Sequence, residues 1–241
     1  MEEVLRLSKT KLNDFHNICS WKYKLKYVDL IPEPSTPFSI YANEGKEFHK
    51  GVELFFHTIN PFKKKFTMQE VKQIMNSKDE WVESFINHFV QPILLKSCNN
   101  NPKYYFPILQ EKKIYNEYWN FSGVIDAVFI NSKNDEYVLV DWKTGKSKSE
   151  QEMREELACY KLILDEAKIL DKSLKYWAMF WVKEGRLFFE ECNENVVEVV
   201  KGRIIDTTIK ILGEKFIKNP NACYYCGYNM KFGGLCDEGR I

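Results

Sequence analysis

Two aspartates lie on two apolar stretches in the middle of the chain. The segment Phe121–Gly145 reads FSGVIDAVFINSKNDEYVLVDWKTG, and a turn-forming Ser-Lys-Asn-Asp run separates its two halves rich in Val, Ile and Phe. This pattern predicts a β-hairpin. If the hairpin closes symmetrically about Lys133–Asn134, Asp126 lies opposite Asp141. Directly opposed side chains have Cβ atoms about 4.5–5.5 Å apart, so the two carboxylates would share one site.

A lysine joins the two acids. Lys143 lies two residues beyond Asp141, and side chains two apart in a strand project from the same face. Opposed like charges destabilise a sheet, so this pair calls for a compensating cation, and a hard divalent ion suits oxygen ligands. A solvated hairpin with ordinary surface charges is the alternative. The apolar strand before each aspartate and Thr144-Gly145 after the second favour the metal site.

The elements that must position this hairpin follow from apolar spacing and from turn residues. Ser8 is the expected N-cap of the first helix. Helices are expected over residues 8–29, 39–58, 60–98, 149–170 and 194–218. Strands are expected to resume at Tyr104, with a strand–turn–strand pattern in KKIYNEYWNF and a second hairpin over 174–182 and 186–192.

Composition sets wider bounds. The chain has 241 residues, of which 44% are apolar, so a packed core of one large domain is expected. A net charge of +1 gives no global argument for nucleic acid, which must rest on local patches. No apolar run approaches the roughly 18–20 residues of a membrane span. The N-terminal MEEVLRLSKTK lacks the apolar core of a signal peptide, so a cytoplasmic protein is expected.

The seven cysteines are odd in number and unevenly spread, which argues for thiols or a metal site in a reducing compartment. Cys223, Cys226 and Cys236 follow a break at Pro220. Three cysteines so close together call for a metal or a cluster. An iron–sulfur cluster takes four thiolates, one more than this tail supplies. Tetrahedral zinc and the absence of any metal are the alternatives.

The strings Gly123-x-x-Asp126 and Asp141-Trp142-Lys143-Thr144-Gly145 resemble the core of the PD-(D/E)XK nucleases. The chain is similar to their RecB-like exonuclease branch, including CRISPR-associated and AddB-type nucleases. The resemblance implies an α/β, restriction-endonuclease-like fold, with a central mixed sheet flanked by helices.

It also implies one nuclease domain over residues 1–241. Its expected parts are a helical region at 1–102, a catalytic α/β core at 103–218 and a cysteine tail at 219–241.

The resemblance supplies a metal-ligand set. Gly45-x-x-x-His49 is similar to the helix that provides the extra ligand of the RecB-like branch. The implied ligands of Mg²⁺ or Mn²⁺ are His49, Asp126, Asp141 and the backbone carbonyl of Trp142. Glu111 is implied in the metal site or its immediate surroundings.

Further residues of the site are implied by the same resemblance. Lys143 would orient the attacking water or stabilise developing charge. Tyr160 matches a tyrosine near the scissile bond, and Glu156 stands where the family commonly has glutamine. Glu156 could be a further acidic ligand, a DNA-excluding charge or a solvated residue. Lys146 and Lys148 add positive charge for DNA binding.

Cys19 completes the implied set of cluster ligands. The string Leu12-x-x-Phe15-x-x-x-Cys19 resembles the N-terminal helix of the RecB-like nucleases, whose iron–sulfur members use this cysteine as a ligand. Ser20 replaces the usual proline, and the gap from Cys226 to Cys236 is longer than is common. A structural 4Fe-4S cluster on the four cysteines would join the two chain ends, with zinc as the alternative.

Together these features predict a metal-dependent DNA exonuclease that hydrolyses phosphodiester bonds in DNA processing, recombination or repair. DNA is the expected partner, recognised through its backbone and ends. Protein partners would belong to a recombination, replication or CRISPR-related complex. The alternative is a catalytically silent DNA-binding or assembly module that retains the nuclease fold.

Overall fold

Within the described chain, six strands form one mixed sheet. The computed structural model describes residues 6–37, 39–59, 67–95 and 101–236. The strands are β1 (Leu7–Ser8), β2 (Leu109–Asn116), β3 (Phe121–Ile130), β4 (Tyr137–Lys143), β5 (Tyr176–Trp181) and β6 (Arg186–Glu191). Strand β3 pairs in parallel with β1 and antiparallel with β2 and β4. Strand β5 runs parallel to β4 and antiparallel to β6.

Helices flank the sheet and connect its strands. They are α1 (Lys9–Asn13, continued by Asp14–Ile18), α2 (Ser20–Tyr23, continued by Lys24–Val28), α3 (Ser39–Thr58), α4 (Met68–Met75), α5 (Asp79–Phe85, continued by Ile86–Leu95), α6 (Pro102–Tyr105), α7 (Glu150–Ala167) and α8 (Glu194–Leu212). Helix α7 makes the crossover between the parallel strands β4 and β5. None of the described helices has both the length and the apolar character to cross a bilayer.

Side-chain hydrogen bonds fix where several of these helices begin. Ser8 is the N-cap of α1, as predicted, and its hydroxyl accepts the backbone N–H of Lys11. Ser149 starts α7 with a capping box, in which its hydroxyl and the carboxylate of Glu152 each bond the other's backbone N–H. Such caps satisfy N–H groups that the first turn of a helix leaves without partners. The cap at Ser149 therefore sets the start of the helix that follows the β3–β4 hairpin.

The central hairpin has the predicted register. Strand pairing runs from Ile130 with Tyr137 to Ala127 with Val140, and one further step along this register sets Asp126 opposite Asp141. The ladder ends one pair before the two acids. The predicted geometry of the hairpin is confirmed, and its open end is the place where polar side chains meet.

Apolar side chains cover both faces of the sheet. One buried cluster joins Ile125, Leu139 and Met179 of the sheet to α1, α7 and α8. The other joins Val140 and Phe180 to α3, α4 and α5. The fold is therefore a three-layer α/β/α arrangement, which confirms the predicted class.

Four predicted elements differ from the structure. The helix expected over 60–98 is interrupted after Met75, where the left-handed backbone of Asn76 (φ 46°) separates α4 from α5; residues 60–66 and 96–98 lie outside the described residues. The helix expected over 8–29 breaks at Cys19, whose extended backbone (φ −166°, ψ 116°) separates α1 from α2. The strand expected at Tyr104 is instead the short helix α6, because Pro102 and the cap of Asn101 start a helical turn. Helix α8 ends at Leu212 rather than near residue 218, since glycine follows and weakens the helix.

Candidate active site

Three acids stand side by side on neighbouring strands. The residues on either side of Glu111 in β2 pair with the residues on either side of Asp126 in β3, so these two acids are opposed. Asp126 in turn lies opposite Asp141 in the β3–β4 register. Glu111 has a positive φ of 42°, a conformation that costs a non-glycine residue about 1–2 kcal/mol. The sheet therefore holds Glu111 in a strained backbone conformation beside the two aspartates.

His49 of α3 completes this group. Its Nδ1 lies 3.3 Å from Oε1 of Glu111 and 3.5 Å from Oδ1 of Asp126, and its Nε2 lies 3.1 Å from the carbonyl oxygen of Trp142. One ligand atom from each of His49, Glu111 and Asp126 fits within 4.8 Å of the others. Carboxylate and carbonyl oxygens are donors that suit Mg²⁺ or Mn²⁺, and the imidazole adds a nitrogen donor of the kind that transition metals prefer. The donor set fits a divalent cation.

The acids also control the protonation of His49. Burial alone would lower the pKa of the imidazole, but hydrogen bonds and charge attraction from Asp126 and Glu111 raise it to about 10. The imidazolium therefore balances these carboxylates at neutral pH. In the same way, burial would raise the pKa of Asp126, but His49, Lys143 and the backbone N–H of Trp142 hold it below its usual value. Asp126 is ionised at neutral pH.

Two glycines allow helices to approach the site closely. A Cβ atom added to Gly45 in α3 would lie 3.1 Å from Oγ1 of Thr144, directly after β4. A Cβ atom on Gly123 would lie 2.8 Å from Cδ1 of Ile163 and 3.4 Å from the ring of Tyr160 in α7. Small residues at these positions let α3 and α7 pack against the hairpin. They explain why glycine precedes His49 by one helical turn and Asp126 by three residues.

Asp141 is 1% exposed, and neither of its carboxylate oxygens has a hydrogen-bond partner among the described residues. Its Oδ2 nevertheless lies 2.5 Å from Nζ of Lys143. At this separation the charge attraction operates even though the hydrogen-bond angles are unfavourable. Burial raises the pKa of Asp141, Lys143 opposes the rise and the charge of Asp126 adds to it. A buried carboxylate with unmet hydrogen-bonding capacity beside a cleft also fits a bound cation.

Glu156 binds three lysines. Its Oε1 accepts hydrogen bonds from Lys9 and, at 2.8 Å, from Lys143, while its Oε2 accepts one from Lys148 at 2.9 Å. Burial would raise the pKa of Glu156, but these three ammonium groups hold it well below the usual range. With 8% exposure, Glu156 is not a solvated residue. It is the shared anion of a lysine cluster next to Asp141.

A cleft of about 1000 Å³ opens over these groups. Asp126, Asp141, Glu111, His49 and Lys143 line it together with Tyr160, whose side chain is otherwise buried. The structure therefore brings His49, Glu111 and Asp126 within 4.8 Å of one another, while Asp141, Lys143 and Tyr160 line the same cleft outside that group. Lys146 lies in the exposed segment after β4 and is not among the residues that line this cleft.

Besides Lys9, which pairs with Glu156, three further lysines line the same cleft, and the sequence patterns had indicated none of them. Lys46 and Lys50 lie one turn apart on α3, and Lys113 lies on β2 beyond Glu111. None of the three forms an ion pair with another residue in the described ranges. Their charges therefore remain available to an anion in the cleft. They could not be identified from the sequence, because lysines at these spacings are common on solvated helix and strand faces.

The four cysteines of the predicted cluster lie around one small cavity. Cys19, Cys223, Cys226 and Cys236 all line it, and every described cysteine is free of disulfides. Sγ of Cys19 accepts the backbone N–H of Asn219 at 3.3 Å. The break between α1 and α2 at Cys19 therefore turns this thiol toward the C-terminal tail.

Contacts from the tail to the N-terminal part hold the four cysteines together. The backbone N–H of Gly227 donates to Oε1 of Glu33 at 3.3 Å, and the hydroxyl of Tyr228 donates to the carbonyl of Ile31. Close to Cys236, backbone bonds join Tyr228 to Cys236 and Met230 to Cys236. The tail therefore folds back on itself and docks against the connector between α2 and α3.

Comparisons with known proteins agree with this arrangement. The family model of the PD-(D/E)XK nuclease superfamily matches residues 6–230. A crystal structure of a protein from Eubacterium rectale, described as a candidate exonuclease, superposes with a TM-score of 0.50 and 9% sequence identity. The match covers 99% of this chain and 90% of that one, and at this identity it shows a likeness of fold alone. None of the curated proteins matches the sequence.

Proposed function

The chain belongs to the PD-(D/E)XK nuclease superfamily, and on that premise we propose that it is a metal-dependent DNA exonuclease of the RecB-like type. The observation that carries the proposal is the meeting of His49, Glu111 and Asp126 within 4.8 Å. This group lines the same cleft as Asp141 and Lys143. Carboxylates and an imidazole can hold a metal ion for phosphodiester hydrolysis, and an ammonium group in the same cleft can stabilise developing negative charge.

The proposed ligands are His49, Asp126, Asp141, Glu111 and the backbone carbonyl of Trp142. Mg²⁺ or Mn²⁺ held by these residues would supply Lewis-acid chemistry and would lower the pKa of the attacking water. The protein supplies the geometry, because Asp126 is ionised and its Oδ2 is fixed by the backbone N–H of Trp142 at 2.8 Å. His49 must give up its proton when it becomes a ligand.

Lys143 is the proposed electrostatic catalyst. Its ammonium group is held between Oδ2 of Asp141 at 2.5 Å and Oε1 of Glu156 at 2.8 Å. Burial would lower the pKa of Lys143, but the charge of Asp141 contributes to raising it above the usual range. Lys143 is therefore a fixed cation that orients the attacking water or stabilises negative charge as it develops on the phosphate. Tyr160 lines the same cleft.

DNA is the proposed substrate. The cleft is lined by Lys46, Lys50 and Lys113 as well as by the acidic residues of the proposed metal site. The lysines can bind the phosphate backbone while the scissile phosphate reaches the metal ligands. Contacts of this type position a nucleic acid without reading its sequence. This surface agrees with recognition of the DNA backbone and DNA ends. The proposed role is in DNA processing, recombination or repair, with protein partners from such complexes.

A structural 4Fe-4S cluster on the four cysteines is part of the proposal. Its support is that all four cysteines line one cavity, because a cluster of this kind takes four thiolates. Tetrahedral zinc on the same four thiolates is the alternative. Hydrolysis needs no electron transfer, so the cluster would join the N-terminal helices to the tail of one nuclease domain.

End-labelled linear DNA and covalently closed circular DNA, incubated with Mg²⁺, Mn²⁺ or EDTA, test the proposal. The exonuclease assignment predicts metal-dependent loss of linear DNA and survival of the closed circle. Cleavage of both would indicate an endonuclease of the same family. Binding of DNA without cleavage under any metal would support the catalytically silent module instead.

A further inference from the structure

Lys9 reaches the active cleft from the beginning of α1. Its Nζ donates to Oε1 of Glu156, from which it is separated by 147 residues along the chain. The side chain of Lys9 is 26% exposed to solvent and lines the same cleft as Asp141 and Lys143. No sequence spacing relates Lys9 to the metal ligands.

Two supports hold the ammonium group of Lys9. Oε1 of Glu156 accepts from both Lys9 and Lys143, so two cations meet at one carboxylate oxygen. The Tyr160 ring lies beneath Lys9, with its centroid 5.0 Å from Nζ, a distance that permits a cation–π attraction. Glu156 is the one hydrogen-bond acceptor of Lys9 in the described ranges. An ammonium group has three N–H donors, so two remain for a group in the cleft.

Charge balance of Glu156 alone does not account for Lys9. Glu156 binds Lys9, Lys143 and Lys148, and Lys143 also pairs with Asp141, so three lysines face two carboxylates. Burial lowers the pKa of Lys9, but attraction from Asp141 and Glu156 more than offsets this and holds the pKa well above its usual value. Lys9 is therefore a permanent, partly exposed cation, and its position favours an anionic ligand.

We infer that Lys9 is a substrate-binding residue: Glu156 places it beside Lys143, where its remaining N–H groups contact a phosphate oxygen of a nucleic acid strand in the cleft. The inference rests on the proposed nuclease function and adds a second cation to the phosphate site. Glu156 is then a positioning residue that acts through both lysines.

The test is the salt dependence of binding to fluorescent single-stranded and duplex oligonucleotides in EDTA, where metal-dependent cleavage does not occur. The variants are Lys9→Met, Lys9→Arg and the double change Lys9→Met with Glu156→Gln. Lys210→Met is the control, because that lysine pairs with Asp206 on α8 and is not among the cleft-lining residues. Loss of one phosphate contact reduces the slope of log K against log salt by about 0.7–0.9.

We expect this reduction for Lys9→Met and for the double variant, with near wild-type slopes for Lys9→Arg and Lys210→Met. A wild-type salt slope in the double variant would overturn the inference, because it would show that Lys9 only balances the charge of Glu156. An unchanged slope for Lys9→Met would overturn it as well. If wild-type protein binds no oligonucleotide and cleaves none with metal, the proposed function itself fails, which is a distinguishable result.

Discussion

The carboxylate of Asp126 accepts the backbone N–H of Trp142 through Oδ2 at 2.8 Å. This bond ties the acid of one strand to the residue that follows the acid of the next, where the strand ladder has ended. The other oxygen of Asp126 lies 3.5 Å from Nδ1 of His49. One side chain thus fixes the hairpin end and faces the proposed metal ligands.

The change Asp141→Asn is expected to stabilise the metal-free protein and abolish cleavage. Because the folded pKa of Asp141 is raised, the ionised carboxylate costs stability as pH rises through that pKa, and asparagine removes this cost. Lys143 retains Glu156 as a partner. We expect Tm at pH 8 in EDTA to rise by roughly 2–4 °C, the effect of about 1 kcal/mol in a chain of this size.

Differential scanning calorimetry with and without Mg²⁺ measures this effect, and the ion should reduce the difference because it stabilises the wild type. Asp135→Asn is the matched control, since Asp135 is an exposed aspartate of the same hairpin and should show no gain. A fall in Tm for Asp141→Asn in EDTA would contradict the prediction.

Binding of Mn²⁺ is expected to release a proton from His49. The His49 pKa is raised to about 10, so the imidazole is protonated at pH 8 and must lose its proton to act as a ligand. Affinity should therefore increase with pH until that pKa is reached. Isothermal titration calorimetry in two buffers with different ionisation enthalpies should give about one proton released per site. In His49→Gln, Mn²⁺ binding should no longer release this proton. An unchanged number of released protons in this variant would contradict the proposed role of His49.

Local sequence patterns predicted the hairpin and its register well. Valine- and isoleucine-rich runs around a four-residue turn leave one register that places Asp126 opposite Asp141, and the structure has that register. The positive φ of Glu111 could not be predicted, because it depends on how β2 and β3 pair rather than on the sequence near Glu111. The same holds for Lys9, whose position at the site depends on the packing of α1 against α7.

Lys46 and Lys50 are expected to contribute to DNA affinity through phosphate contacts. The double variant Lys46→Gln with Lys50→Gln should weaken binding and lower the salt slope by about 1.8 on duplex DNA, or about 0.9 for each lost contact. Lys172→Gln is a suitable control, because Lys172 pairs with Glu136 at 3.1 Å. Fluorescence anisotropy across a salt series measures the slope. Equal slopes for wild type and the double variant would show that Lys46 and Lys50 do not contact the phosphates of the bound DNA.

Protein purified without oxygen is expected to be brown, and Cys226→Ala should lose the colour together with stability. Cys226 lines the cavity shared by the four predicted ligands, and the cluster would join the tail to the first helices. Cys192→Ala is the control, because Cys192 does not line that cavity and packs against the buried cluster that joins the sheet to α1, α7 and α8, so this variant should keep the colour. Iron, zinc and sulfide analysis decides the metal: colourless, stable protein containing zinc would contradict the cluster.

The sequence could indicate the four cysteines only in part. The spacing of Cys223 and Cys226 is a local signal, but the approach of Cys19 depends on a helix break that apolar periodicity does not reveal. Leu12, Phe15 and Tyr23 keep one buried face across that break, so the pattern resembles one continuous helix. The backbone of Cys19 is extended at the place where the tail contacts it.

The most direct test of the account is single-turnover cleavage of end-labelled linear DNA in Mg²⁺ by wild type, Asp126→Ala, Lys143→Met and Asp135→Ala. We predict that wild type and Asp135→Ala degrade the DNA at similar rates, and that Asp126→Ala has no measurable activity. Lys143→Met should be slower by about 10²–10³-fold, the usual effect of removing one electrostatic catalyst. Equal cleavage rates for wild type and Asp126→Ala would contradict the proposed active site, provided that the variant is folded with the same Tm as the wild type.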